Sequence, residues 1–315
     1  MKIKLHNLLS SCYLWCLLLI LPCTKVQAEE LVKESGIMSS YLNREDETSP
    51  YNEALMRVNG LEPLDVDKFD SIDALIYQLI EDYQINPENL SIAYTNLVDG
   101  DSFFLNEHQP RIAGSIYKFP LVAIYLEEVQ AGNLTFDTII PNTVPYESPD
   151  GSQGYFEASL QTLMDESILY SNNDSAWTLL YYLFHSWPGF QEALVEFSEY
   201  YELPIEYYGD NYMTAVEIDN SLRKVANNPD TYGYLIDLMH NAEPPQLFTS
   251  YIQTGMANKY GRIDEMINDA GIYYEDDQAI YTLTVLTENV AQADPFIEEL
   301  ALRVTEWTRS QVMKE

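Results

Sequence analysis

Residues 111–129 read RIAGSIYKFPLVAIYLEEV. Ser115 stands three positions before Lys118, about one helical turn, so on a helix the two side chains share a face. A serine hydroxyl is a poor nucleophile until a neighbouring base takes its proton. A lysine can be that base when desolvation or a nearby cation lowers its pKa. The small pair Ala113 and Gly114 precedes the serine, and the apolar run FPLVAIYL follows the lysine. Pro120 is tolerated only near a helix start, where a missing N–H does no harm. The stretch therefore predicts a buried helix with Ser115 at its N-terminus, where the dipole and free N–H groups favour developing negative charge.

Working outward, DSIDALIYQLIEDYQ carries Ile72, Leu75, Ile76, Leu79, Ile80 and Tyr83 at helical spacing, one face of which must be buried. LSIAYTNL then alternates as a strand, VDGD turns, and SFFL returns. From about 115 to 240 the chain reads mainly helical, with loops at PNTVPYESPDGSQG and around NNPDTYG. GMANKYGR, AGIYYE and AIYTLTVLT read as strands, and DPFIEELALRVTEWTRSQV as a closing helix with Phe296, Leu300, Val304 and Trp307 on one face. Sheet elements from both ends of the chain thus bracket a helical insert.

The first 28 residues have a basic start at Lys2 and Lys4, the apolar run YLWCLLLILPC and a close on VQA, the pattern of a secretory signal cleaved after Ala28. An uncleaved N-terminal anchor is the alternative. Both place the protein outside the cytoplasm, secreted or at a bacterial cell surface. Cys12, Cys16 and Cys23 all fall in that segment, so the mature chain has no cysteine and relies on its core. Residues 29–68 are acidic and aperiodic and read as a tether or loosely attached segment, which leaves 69–315 as the domain. A formal charge of −34 repels phosphate backbones and anionic lipid, which excludes nucleic acid and peripheral membrane binding as functions. The oligomeric state has no sequence signature here.

Ser-x-x-Lys alone is a weak signal, and the chain has a second copy at Ser221 and Lys224. Further motifs separate the two. Downstream of Ser115 lie one Ser-x-Asn, at Ser171, Asn172 and Asn173, and one Lys-x-Gly, at Lys259, Tyr260 and Gly261. In this order they resemble the S-x-x-K, S-D-N and K-T-G elements of the serine β-lactamase and penicillin-binding (DD-peptidase) superfamily, and within it class A β-lactamase-like domains. The resemblance extends from about residue 70 to the C-terminus. It implies an α/β (α+β) fold: an antiparallel sheet with terminal helices on one face and a helical region on the other. It implies Ser115 as nucleophile, Lys118 as its activating partner and Ser171 as the relay to the leaving group. Asn173, Lys259, Tyr260 and Gly261 would hold the substrate, and the backbone N–H groups of Ser115 and Arg262 would form the oxyanion hole. No metal or organic cofactor is implied. The substrate class would be β-lactams or D-alanyl wall peptides.

Three departures qualify that expectation. Asn172 replaces the usual Asp, and Tyr260 replaces a Thr or Ser whose hydroxyl helps hold a substrate carboxylate. The E-x-x-L-N loop that drives water onto the acyl-enzyme in class A β-lactamases has no counterpart, with only Glu202 and Glu206 as candidates in the corresponding region. Poor β-lactam turnover is therefore expected. The competing expectation is a catalytically silent domain that binds wall fragments or a protein partner. His108, His185 and His240 lack metal-ligand spacing, and no G-x-S-x-G elbow supports a Ser-His-Asp enzyme.

Overall fold

A computed structural model describes residues 49–143, 157–201 and 209–312. Helix α1 (Glu53–Val58) buries none of its residues. Helix α2 (Ile72–Asp82) starts where Ser71 accepts the Ala74 N–H at 3.2 Å, and it buries the apolar face that its spacing predicts. Strands β1 (Leu90–Asn96) and β2 (Ser102–Leu105) form the expected hairpin. After the two-residue strand β3 (Arg111–Ile112), Gly114–Tyr117 makes a 3-10 turn that leads into helix α3 (Lys118–Gln130). The helical region continues through β4 (Ile139–Pro141), β5 (Glu157–Ser159), α4 (Leu160–Leu169), α5 (Asn173–Phe184), α6 (Trp187–Ser198), β6 (Tyr212–Met213), α7 (Ala215–Ala226), α8 (Pro229–His240) and the single turn α9 (Phe248–Tyr251). Strands β7 (Met256–Ile263), β8 (Met266–Glu275) and β9 (Gln278–Thr287) and helix α10 (Ala293–Val312) close the chain.

The main sheet is antiparallel with strand order β2-β1-β9-β8-β7, so the first hairpin pairs with the last strand of the chain. Alternate residues on a strand face opposite sides, and each side has its own core. Ile92, Tyr94, Leu283 and Val285 pack with Leu75 and Leu79 of α2 and Phe296, Leu300 and Val304 of α10. Ala93, Ala257, Ala270 and Ile272 face the helical region, where α3 supplies Phe119 to Leu126 almost without interruption. Burial of α3 on all sides explains why its run lacks an amphipathic period.

Two features are absent from the sequence reading. The two-residue ribbon β3–β6 and the three-residue ribbon β4–β5 are too short to show a period, and β3–β6 joins residues about a hundred apart in the chain. Part of the segment expected as a tether is also hydrogen-bonded to the domain: the Asn52 N–H donates to Tyr251 O and the Gln253 N–H to Pro50 O, and Val66 is buried.

Candidate active site

Ser115 lies in the 3-10 turn, one residue after Gly114, whose φ is +63°. A Cβ on Gly114 would sit 2.8 Å from Gly261 C and 2.9 Å from Arg262 N. On Gly261 it would sit 2.2 Å from Ala113 O and 2.8 Å from Ser115 N. The turn and edge strand β7 therefore cross with no room for a side chain at either point. That contact sets the backbone nitrogens of Ser115 and Arg262 against the same crossing, and both residues line one cleft of about 500 Å³. Two N–H groups so close can stabilise a developing oxyanion. The sequence shows Gly114 only as a small residue; its positive φ and the crossing that requires glycine there are long-range facts.

Lys118 opens α3 and is fully buried. Its Nζ donates to Ser171 O at 2.7 Å and Asn173 Oδ1 at 2.6 Å, and lies 3.4 Å from Ser171 Oγ. Ser171 is held in the left-handed region at φ +53°, an uncommon conformation for a non-glycine residue. It sits between α4 and α5, where Asn172 caps α5 by accepting the Ser175 N–H at 2.9 Å.

Lys259 reaches the same serine from β7: its Nζ donates to Ser171 Oγ at 3.0 Å and to Tyr260 O at 3.1 Å. Lys259 is fully buried, and loss of hydration pulls its ammonium down to about 7, partly offset by the carboxylate of Asp269. Burial pushes the Asp269 carboxyl up in turn. Its oxygens accept from the Phe248 N–H at 3.0 Å, the Ala270 N–H at 2.9 Å and Asn258 Nδ2 at 2.9 Å and 3.0 Å. Asp269 thus ties α9 and β7 to β8 beside Lys259. Nothing in the sequence singled it out, since its role depends on pairing across β7 and β8.

The Ser171 hydroxyl thus lies between two buried lysines, and Asn173, which accepts from Lys118, lines the same cleft as Ser115. The profile of the beta-lactamase enzyme family matches residues 71–308. The chain belongs to that family. Its fold is that of PBP-A, with TM-score 0.62 at 18% identity over 75% of this chain and 96% of that one. A point mutant of PBP-A, solved as an acyl-enzyme complex with penicillin-G, gives 0.63 at 18% over 75% and 96%. A beta-lactamase from Chitinophaga pinensis DSM 2588 gives 0.60 at 15% over 76% and 99%. A search of curated protein sequences returns no match.

Within this beta-lactamase-family domain, the departures have structural counterparts. Asn172 does the capping that an Asp would do, because the cap needs only a side-chain oxygen. The Tyr260 ring lies 4.2 Å from Lys259 Nζ, and its hydroxyl donates to Glu243 O at 3.2 Å. An aromatic face thus stands against the lysine where a small hydroxyl was expected. Glu202 and Glu206 lie outside the described residues. The second Ser-x-x-Lys is structural: Ser221 Oγ donates to Glu217 O within α7, and Lys224 pairs with Glu127 at 2.8 Å.

Proposed function

We propose that the protein is an exported serine hydrolase that forms an acyl-enzyme at Ser115, acts on β-lactams or D-alanyl wall peptides, and turns β-lactams over slowly. The observation that carries this reading is the convergence of Lys118 and Lys259 on the Ser171 hydroxyl, from a helix start and from an edge strand. Neutral Lys118 takes the Ser115 proton as Oγ attacks the acyl carbon. The carbon–nitrogen bond then breaks, and the proton passes through Ser171 Oγ to the leaving nitrogen. Charged Lys259 holds the substrate carboxylate, and the Ser115 and Arg262 N–H groups hold the oxyanion. Slow turnover is supported by the missing E-x-x-L-N motif. The fold shared with PBP-A, of which an acyl-enzyme complex with penicillin-G exists, supports the acylation step.

The test is intact-protein mass over time after addition of penicillin-G, with Ser115→Ala as control. A persistent adduct on the wild type alone is expected. Drug consumption without lasting adduct would replace slow turnover with true β-lactamase activity. Absence of both would leave a hydrolase of some other ester or amide, or the catalytically silent domain that binds wall fragments or a protein partner.

A further inference from the structure

Strand β3 leads into the Ser115 turn, and side chains tie it to the main sheet. The Arg111 guanidinium is buried; it donates to Ser91 Oγ at 2.8 Å and Leu90 O at 3.2 Å on β1, and pairs at 2.8 Å with Glu288, just past β9. At the next residue, Ile112 O accepts from Asn268 Nδ2 at 2.8 Å. Asn268 is a fully buried residue of β8, and its Oδ1 accepts the Thr287 N–H of β9 at 2.7 Å. Chemistry fixes this orientation of the amide, since only its oxygen can accept from an N–H and only its nitrogen can donate to a carbonyl.

The place of Asn268 in the sheet gives that bond its consequence. In the β7–β8 ladder Asn268 stands opposite Gly261, and Ile267 opposite Arg262. Gly261 is also the residue that crosses Ala113 and Gly114. A ring of contacts is thereby closed: the turn packs on Gly261, Gly261 pairs with Asn268, and Asn268 bonds the residue just before Ala113. The crossing is a packing contact, which limits how closely the two backbones approach but not how far they separate. The Asn268 bond supplies the opposite limit, because a hydrogen bond weakens steeply with distance and angle. On the turn's other side the Ala113 N–H donates to Asn211 O at 2.9 Å, ahead of β6. That ribbon belongs to the helical region, so it does not hold the turn to β7.

We propose that Asn268 is a positioning residue for the oxyanion pair. By holding Ile112 O against β8, it fixes the spacing between the Ser115 N–H on the turn and the Arg262 N–H on β7. Asn268 is not among the residues lining the cleft and acts through the backbone alone. The catalytic consequence rests on acylation at Ser115 as proposed above; the hold on the turn does not.

The test uses the full chain carrying Asn268→Asp, which keeps the shape and the acceptor for Thr287 but replaces the donor at Ile112 O by an acid. Ionised, the new carboxylate repels that carbonyl; protonated, its O–H donates to it again. The rate of penicillin-G adduct formation is followed by mass, taken per folded molecule with the folded fraction from urea unfolding, and divided by the wild-type rate at the same pH. This ratio is expected to be down about tenfold near pH 8 and to recover as pH falls toward about 5, since burial raises the pKa of a carboxyl. Asn268→Ala, which adds no charge, is expected to show a loss that does not recover. Backbone amide exchange in peptides covering residues 111–118 should quicken in both variants near pH 8, while peptides from α2 and α10 stay at the wild-type rate. Acylation within about twofold of wild type near pH 8, an Asn268→Asp ratio that does not move with pH, or unchanged exchange over 111–118 would each overturn the assignment. A wild-type protein that forms no adduct would remove the acyl-enzyme reading, and the exchange measurement would still test the hold of Asn268 on the turn.

Discussion

Lys259 Nζ lies 3.0 Å from Ser171 Oγ, so an edge strand near the end of the chain and a loop inside the helical region share one proton position. Among the described residues no carboxylate pairs directly with this buried lysine; Asp269 acts on it through space.

Acylation should therefore depend on pH through Lys259. Its ammonium is held down to about 7, against 10.5 for an ordinary lysine. Folded protein loses this charge as pH rises through about 7, and with it the grip on a substrate carboxylate. The rate of adduct formation with penicillin-G, followed by mass, is expected to fall with a midpoint near that value. Lys259→Arg keeps its charge and should move the falling limb above about pH 9. The same group affects stability. Between about 7 and 10.5 the unfolded chain binds this proton more tightly than the folded one. The lysine's destabilising contribution is therefore relieved as pH rises across that window.

Asp269 should set the position of that limb. Its carboxylate favours the charged lysine, so Asp269→Asn is expected to shift the limb to lower pH, at a cost of about 1–3 kcal/mol because the amide accepts at only one of the two oxygen positions and leaves a buried N–H unpaired. Asp269→Ala also strands the Phe248 and Ala270 N–H groups and the Asn258 amide, at a cost of about 3 kcal/mol in urea unfolding. An unmoved limb in Asp269→Asn would separate the two residues functionally.

Gly261→Ala should damage fold and activity together. The new methyl would meet Ala113 O at 2.2 Å, and backbone cannot swing aside as a side chain can. A loss of about 2–3 kcal/mol is expected. Adduct formation should fall even at temperatures where the variant remains folded, because the Ser115 and Arg262 nitrogens move apart. Unchanged acylation in a folded variant would argue against the paired N–H groups.

Ser221→Ala and Lys224→Ala should leave acylation unchanged. Ser221 bonds within its own helix, and Lys224 pairs with partly exposed Glu127. Each change should cost no more than about 1 kcal/mol by urea melting. Loss of adduct in either variant would contradict the assignment of Ser115.

Asn172→Asp should be mild. The aspartate accepts the same Ser175 N–H and adds a favourable charge at the start of α5, worth up to about 1 kcal/mol. Mass-detected acylation should stay within about twofold of wild type, since each tenfold requires about 1.4 kcal/mol.

Much of this was legible in the chain because it rests on local regularities. Helical spacing placed α2 and α10, alternation placed β1 and β9, and the position of Pro120 placed the start of α3 to within a turn. The order of Ser115, Lys118, Ser171, Asn173 and Lys259 could be read off directly, and the structure brings the lysines and Asn173 together around Ser171. Neither the ribbon β3–β6 nor the hub at Asp269 could be read, since both are made by residues whose neighbours in space are distant in sequence.

By itself the sequence determined the types of its longer elements and the residue types needed for serine acylation, because periodicity and side-chain chemistry are local properties; a sheet covered on both faces was what the family resemblance implied. Only the tertiary structure decided that Ser221 and Lys224 are bonded to Glu217 and Glu127, why Gly114 and Gly261 admit no side chain, and that Tyr260 faces Lys259. It also decided that Asp210 and Asp264 share the cleft with Ser115. These outcomes depend on burial, close backbone approach and charges brought together from opposite ends of the chain, which no local stretch of residues encodes.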